Sequence, residues 1–248
     1  MISSILDGAD QMTDVTDLGE IWVVGQRRRP GGSFPSGGGS GGGGDTGVPQ
    51  QNELGESEPE EPPPHPCDSP QTALPWNADA AAAAAIEAFL EAAASLGFAD
   101  APNGTPSLAN REFGRGLSRG PGQSVAGNGV SWGSPVAPNT VSSMTLDMSG
   151  ITTANYIGDI HSHPNGNPLP SVEDWNGFIS NNNAARAYGR TGETFYLYVV
   201  AVDPNGGPPT IHVYEDGPRE VGSPDPERPT TAGPEVNPEA EPCPGSGD

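Results

Sequence analysis

The chain contains no lysine; its ten basic residues are all arginine, and they face 32 acidic residues for a formal charge of −22. So acidic a surface argues against nonspecific nucleic-acid binding and against docking on anionic membranes. Aromatic residues make up 6% and all hydrophobic residues 33%, too little for the whole chain to form one packed core. No apolar run approaches the roughly 20 residues that span a bilayer. The first residues lack a basic stretch before an apolar core, so no standard secretory signal is expected. Only two cysteines are present, which excludes a disulfide-rich scaffold. Missing lysine alongside abundant Ala, Gly, Pro and Arg fits a GC-rich bacterial source. The expected location is the bacterial cytoplasm, with a secreted effector or a phage particle as alternatives.

Glycine (36) and proline (29) are abundant instead, at the level of low-complexity chains. They divide the chain. Residues 1–75 read as a disordered tail, with a glycine-serine linker over 36–44 and an acidic, proline-rich stretch over 53–66. Within that tail, Ile21-Trp22-Val23-Val24 is a short apolar patch, either inert or a strand that docks on a partner sheet edge. Residues 76–217 read as the folded domain, and 218–248 as a second disordered, acidic, proline-rich tail. Cys67 and Cys243 fall in the two tails, each after a proline. Free thiols are the expected state, with a disulfide between the tails as the alternative.

Inside the domain a helix is expected over 80–96, started by Asn77 or Asp79 and stopped by Gly97. Strands are expected around Glu112 and over 130–136, 142–148 and 155–163. A second helix carries Asp174 to about Tyr188. Two further strands cover 194–202 and 211–214. This is an α+β layout, a mixed sheet flanked by helices.

The densest chemistry lies in His161-Ser162-His163-Pro164, followed after six residues by Ser171-Val172-Glu173-Asp174, a pattern H-x-H-x7-S-x2-D. On a strand His161 and His163 point to one side. Pro164 ends the strand, Asn165-Gly166-Asn167-Pro168 turns the chain, and Ser171 starts a helix with Asp174 in its first turn. Taken singly, each part has a plainer reading. H-x-H pairs are commonly structural, and Ser171 with Asp174 is also a helix-capping pattern. All four positions coinciding in a chain of this length is about a one-in-a-thousand event at ordinary residue frequencies, which favours a metal site with one position left open.

The pattern resembles the signature of the JAMM (MPN+, or JAB-domain) zinc metallopeptidases, including the proline after the second histidine. The resemblance implies one zinc per chain, bound by His161, His163 and Asp174 with water in the fourth position. It implies that Ser171 steadies the tetrahedral intermediate and that a glutamate on an earlier strand activates the water. It implies a JAB/MPN-like fold and hydrolysis of a peptide or isopeptide amide. The substrate would be a protein or peptide, with ubiquitin-like proteins among the candidates, and the acyl-side residue would be a small one, glycine foremost. Catalytically silent binding modules and phage or toxin-system components share the fold and form the alternative.

The glutamate best placed for the base is Glu112, in Arg111-Glu112-Phe113-Gly114-Arg115-Gly116. On a strand, Gly114 and Gly116 share its face and would leave room for water or a substrate backbone. A surface glutamate paired with Arg111 or Arg115 is the plainer reading. Glu87 and Glu91 are rivals on a helix, and Glu173 points away from Asp174. Asp159 shares the histidines' face and reads either as a partner for an imidazole N–H or as an ordinary strand residue. His212 is expected to be structural.

Overall fold

The computed structural model describes residues 20–25, 65–97, 107–134 and 142–244. The linker and acidic stretch expected in the amino-terminal tail lie outside them, except for residues 65 and 66. Strand β1 (Glu20–Gly25) comes first, followed by a short 3-10 turn over Pro66–Asp68 and helix α1 (Pro70–Ser95). Strands β2 (Phe113–Arg119), β3 (Val125–Gly127), β4 (Ser131–Trp132), β5 (Ser142–Asp147) and β6 (Tyr156–His163) follow. Helix α2 (Val172–Ala187) then precedes β7 (Phe195–Ala201) and β8 (Thr210–Asp216). The main sheet has the order β3-β2-β6-β7-β8, with β4 also pairing β2, while β1 pairs only with β5. The β6–β7 pair is parallel and the others antiparallel, so the α+β class with a mixed sheet holds.

α1 covers one face of the sheet and α2 the other. On the α1 side, Ala78, Ala82, Ala85 and Phe89 pack with Phe113, Leu117, Ile160 and Tyr198. On the α2 side, Trp175, Phe178 and Ile179 pack with Leu146, Phe195, Leu197 and Val199. α1 begins earlier than its alanine run suggests. Ser69 Oγ accepts the Thr72 amide at 3.3 Å and Pro70 occupies the first helical position, where a missing N–H costs nothing. Glu87 and Glu91 are exposed on this helix, on the side of the sheet away from the histidines, and drop out as rivals to Glu112.

β6 runs through the centre and all eight of its residues are buried. Gly158 sets which of them face α2. A Cβ there would collide with the Tyr196 carbonyl oxygen, so only glycine allows β7 this close. Beside it the β2–β6 register shifts between Leu117 and Ser118. The irregularity sends Ile157 into the α1-side core and Tyr156 into the α2-side core, and it leaves Asp159, His161 and His163 facing α2.

Two boundaries differ from expectation. The domain starts before residue 76, because the 3-10 turn and the first turns of α1 occupy 66–75. The segment expected to be a disordered tail from 218 is placed as far as residue 244. It leaves β8 near the start of α2, where Trp175 Nε1 donates to the Pro226 carbonyl at 3.0 Å and Arg228 to the Pro170 carbonyl at 2.9 Å. It then runs along β8, with Val213 N donating to Pro234 O (3.0 Å) and Val236 N to Ile211 O (2.9 Å). Cys243 N donates to Asn77 Oδ1 at 2.7 Å, and Cys243 is disulfide-bonded to Cys67. The thiols are therefore paired, not free. Proline-rich composition suggests an unstructured segment, but prolines keep their carbonyls. Here those carbonyls accept bonds, and the segment covers what would otherwise be an open sheet edge.

Candidate metal centre

His161 and His163 lie at the end of β6, two residues apart and therefore on one face. The chain turns through 164–170 and enters α2 at Ser171, whose Oγ accepts the Asp174 amide at 3.0 Å. In return Asp174 Oδ2 accepts the Ser171 amide at 2.6 Å, which completes a capping box. The plain capping reading of Ser171 and Asp174 is thus real, and the cap aims the Asp174 carboxylate back at β6. His161 Nε2 and His163 Nε2 are 3.1 Å apart, and Asp174 Oδ2 is 3.3 Å from each. The three donors form a nearly equilateral triangle and could together hold a metal ion.

The triangle fits a metal. Nitrogen and oxygen ligands about 2.0–2.1 Å from a tetrahedral ion lie about 3.3–3.4 Å from one another, close to the edges found here. His163 Nδ1 lies 2.8 Å from the Asn167 carbonyl oxygen. That bond requires the proton on Nδ1 and leaves the Nε2 lone pair for a ligand. Around His161 the field is strongly negative. Burial opposes the imidazolium, but the Asp174 and Asp159 carboxylates outweigh it and push the imidazole pKa up to about 10. Burial also favours a neutral Asp174, yet the two histidines hold its carboxyl well below the usual range. A pocket that holds a proton this strongly also favours a cation.

Behind the donors, Asp159 Oδ1 stands 3.7 Å from His161 Nδ1, beyond hydrogen-bond length but within electrostatic reach. Tyr156 Oη donates to Asp159 Oδ2 at 3.2 Å. Burial first, then the charge of Asp159, pushes the Tyr156 phenol well above its ordinary pKa, so it remains a donor. The sequence offered two readings of Asp159, and the structure places it as the carboxylate behind an imidazole.

Glu112 precedes β2 by one residue. Gly114 pairs with His161; continued by two residues, the same ladder brings Glu112 level with His163. Directly paired residues share a face, so Glu112 lies on the donors' side, fully buried. Its backbone is held on both sides. Gly133 N donates to Glu112 O at 2.9 Å, and Phe113 N donates to Ser162 Oγ at 2.9 Å. Sequence reasoning gave Ser162 no role, though its place between the histidines was the available signal. Glu173 is exposed. His212 bonds Thr210 Oγ1 and the Gly233 carbonyl and has the structural role expected of it.

The room expected beside Gly114 and Gly116 is filled. A Cβ on Gly114 would meet Met144 Cε at 2.5 Å and Leu146 Cδ2 at 2.6 Å, and one on Gly116 would meet Met148 Sδ at 2.8 Å. These glycines admit the apolar side chains of β5 and the turn after it, not a substrate backbone. His161, His163, Asp174 and Glu112 are each at most 2% exposed, so all four are buried.

Among the described residues no helix is long and apolar enough to cross a membrane. In comparisons with known proteins, no family model, no curated protein and no solved structure matches the chain.

Proposed function

We propose that the chain is a zinc-dependent hydrolase of peptide or isopeptide amides, with a JAMM-like site on a JAB-like domain. The observation that carries this reading is the convergence of His161 Nε2, His163 Nε2 and Asp174 Oδ2 within 3.3 Å of one another, with Glu112 buried on the same face of the sheet. Two histidines and one carboxylate also suit other divalent metals; the H-x-H-x7-S-x2-D resemblance argues for zinc. Bound there, zinc would supply Lewis acidity, polarising an amide carbonyl and making water acidic enough to attack near neutral pH.

The protein's own groups would do the rest. Glu112 takes a proton from the attacking water and returns it to the leaving amine, so that one C–N bond is exchanged for one C–O bond and the proton balance closes. The Ser171 hydroxyl, fixed at the helix start, faces the developing oxyanion as a hydrogen-bond donor. The Asn167 carbonyl holds the His163 imidazole in the ligating orientation, and Asp159 supplies negative charge behind His161. The filled space at Gly114 and Gly116 removes the physical argument for glycine on the acyl side, and no residue preference is proposed. Complete burial of the donors favours a second reading, a silent binding module whose ion only braces the fold; structural sites are closed in this way, although they usually have four protein ligands.

Zinc-loaded full-length protein incubated with peptide and isopeptide libraries separates the two. Cleavage is expected, and Glu112→Gln should lower turnover by about 10²–10⁴-fold while keeping the metal. No cleavage of any library member by fully loaded protein would leave only the bracing role.

A further inference from the structure

Among the described strands, β1 and β5 form a two-stranded sheet apart from the main one. β1 pairs along its whole length with β5, from Glu20 opposite Asp147 to Gly25 opposite Ser142, and no other described strand pairs with it. It also packs against α2. It therefore bridges the two elements that flank the donors. β5 reaches Gly114 through Met144 and Leu146, and Gly114 pairs with His161; α2 carries Asp174. The bridged centre is fully buried. In sequence, Ile21-Trp22-Val23-Val24 is apolar and rich in β-formers.

A strand held by a single ladder is weakly held. β1 is also tied covalently to the domain it packs on. The next described residue after Gly25 is His65, and the sequence between them includes the glycine-serine stretch. Such a tie raises the strand's local concentration at the slot above that of a free peptide. β1 thus has the form of an added strand, in which backbone bonds supply affinity and alternate side chains supply selectivity.

We propose that the slot between β5 and α2 is a docking site for an extended apolar peptide, and that residues 20–25 of this chain are its resident occupant, held in cis. Seated there, they exclude other peptides from the edge of β5. That exclusion has catalytic meaning only if the amide-hydrolysis reading holds; the docking does not depend on it.

Two measurements on the full chain test the proposal. Trp22 lies opposite Thr145, and the two native cysteines are already bonded to each other. Trp22→Cys with Thr145→Cys should therefore form an intramolecular disulfide under mild oxidation, mapped by mass spectrometry. Thiols that stay free, or that bridge only between chains, would overturn docking in cis. Second, Val23→Pro breaks the β1 ladder. A fluorescein-labelled peptide with the sequence of residues 18–27 should bind this variant at least about 10-fold more tightly than the parent, because the tethered competitor is gone. Equal binding to both would overturn an exchangeable site. Docking without hydrolysis by zinc-loaded Val23→Pro protein would refute the amide-hydrolysis reading and leave the site standing. Hydrolysis without docking or cross-linking would do the reverse.

Discussion

Asp174 belongs both to a helix cap and to the candidate metal site, and the two roles separate experimentally. Its Oδ2 is 3.3 Å from both imidazole nitrogens and accepts the Ser171 amide at 2.6 Å, while its own amide is capped by Ser171 Oγ. Loss of a helix cap costs about 1 kcal/mol. Metal that binds only the folded chain adds about 4.1 kcal/mol when its free concentration is a thousand times Kd. For a domain of this size each kcal/mol moves Tm by about 2–4 °C. Thermal unfolding with excess zinc, compared with a chelator, should therefore differ by about 8–16 °C in the parent protein. Ser171→Ala should start about 2–4 °C lower and keep nearly the whole metal increment. His163→Ala should lose the increment, and Asp174→Asn should lose it and also weaken the cap. If His163→Ala and the parent respond equally to zinc and chelator, the triangle of donors is not the metal site. If Ser171→Ala abolishes the increment and His163→Ala does not, the division of labour at the helix start is wrong.

Three other outcomes follow from the fold. Gly158→Ala should destabilise by more than about 3 kcal/mol in denaturant titration, because the new methyl meets the Tyr196 carbonyl and the β6–β7 ladder has to move. Asp216→Asn should cost about 3 kcal/mol at neutral pH, since it leaves the buried Arg186 guanidinium, 2.7 Å away, without its charge partner. Burial raises the Asp216 pKa, but Arg186, Arg219 and Asn182 outweigh it and hold the carboxyl below its ordinary 3.8. Its contribution is thus complete above that value and lost as pH falls through the lower, folded-state value, so Asp216→Asn should flatten the stability profile below about pH 4. Cys67→Ser with Cys243→Ser should lower stability by about 2–4 kcal/mol and make residues 218–244 the first target in limited proteolysis.

The elements near the centre were legible in the sequence because several local signals agreed there. The β6 run, the proline and asparagine-glycine turn, the serine cap and the apolar spacing of Trp175, Phe178 and Ile179 all point to strand, turn and helix. Residues 218–244 were not legible. Their order comes from carbonyls and one disulfide that meet partners far along the chain, and composition carries no trace of such pairing. The helix start at Pro70 was missed because the alanine run outweighed the quieter Ser69-Pro70 signal. Gly114 and Gly116 illustrate a further limit. Their small size reads as open space in sequence, and only the placement of Met144, Leu146 and Met148 shows the space to be filled.

The disulfide also determines how the molecule would carry a load. Cys67 and Cys243 close a covalent ring that contains α1, β2 to β8 and α2. A pull applied to the two ends of the chain passes through the sulfur–sulfur bond and bypasses everything inside the ring. Of the described elements only β1 lies outside it, on the stretched side. Tension would strip β1 from β5 and leave His161, His163 and Asp174 in place, so the β1–β5 ladder would act as a mechanical fuse that releases the amino-terminal strand first.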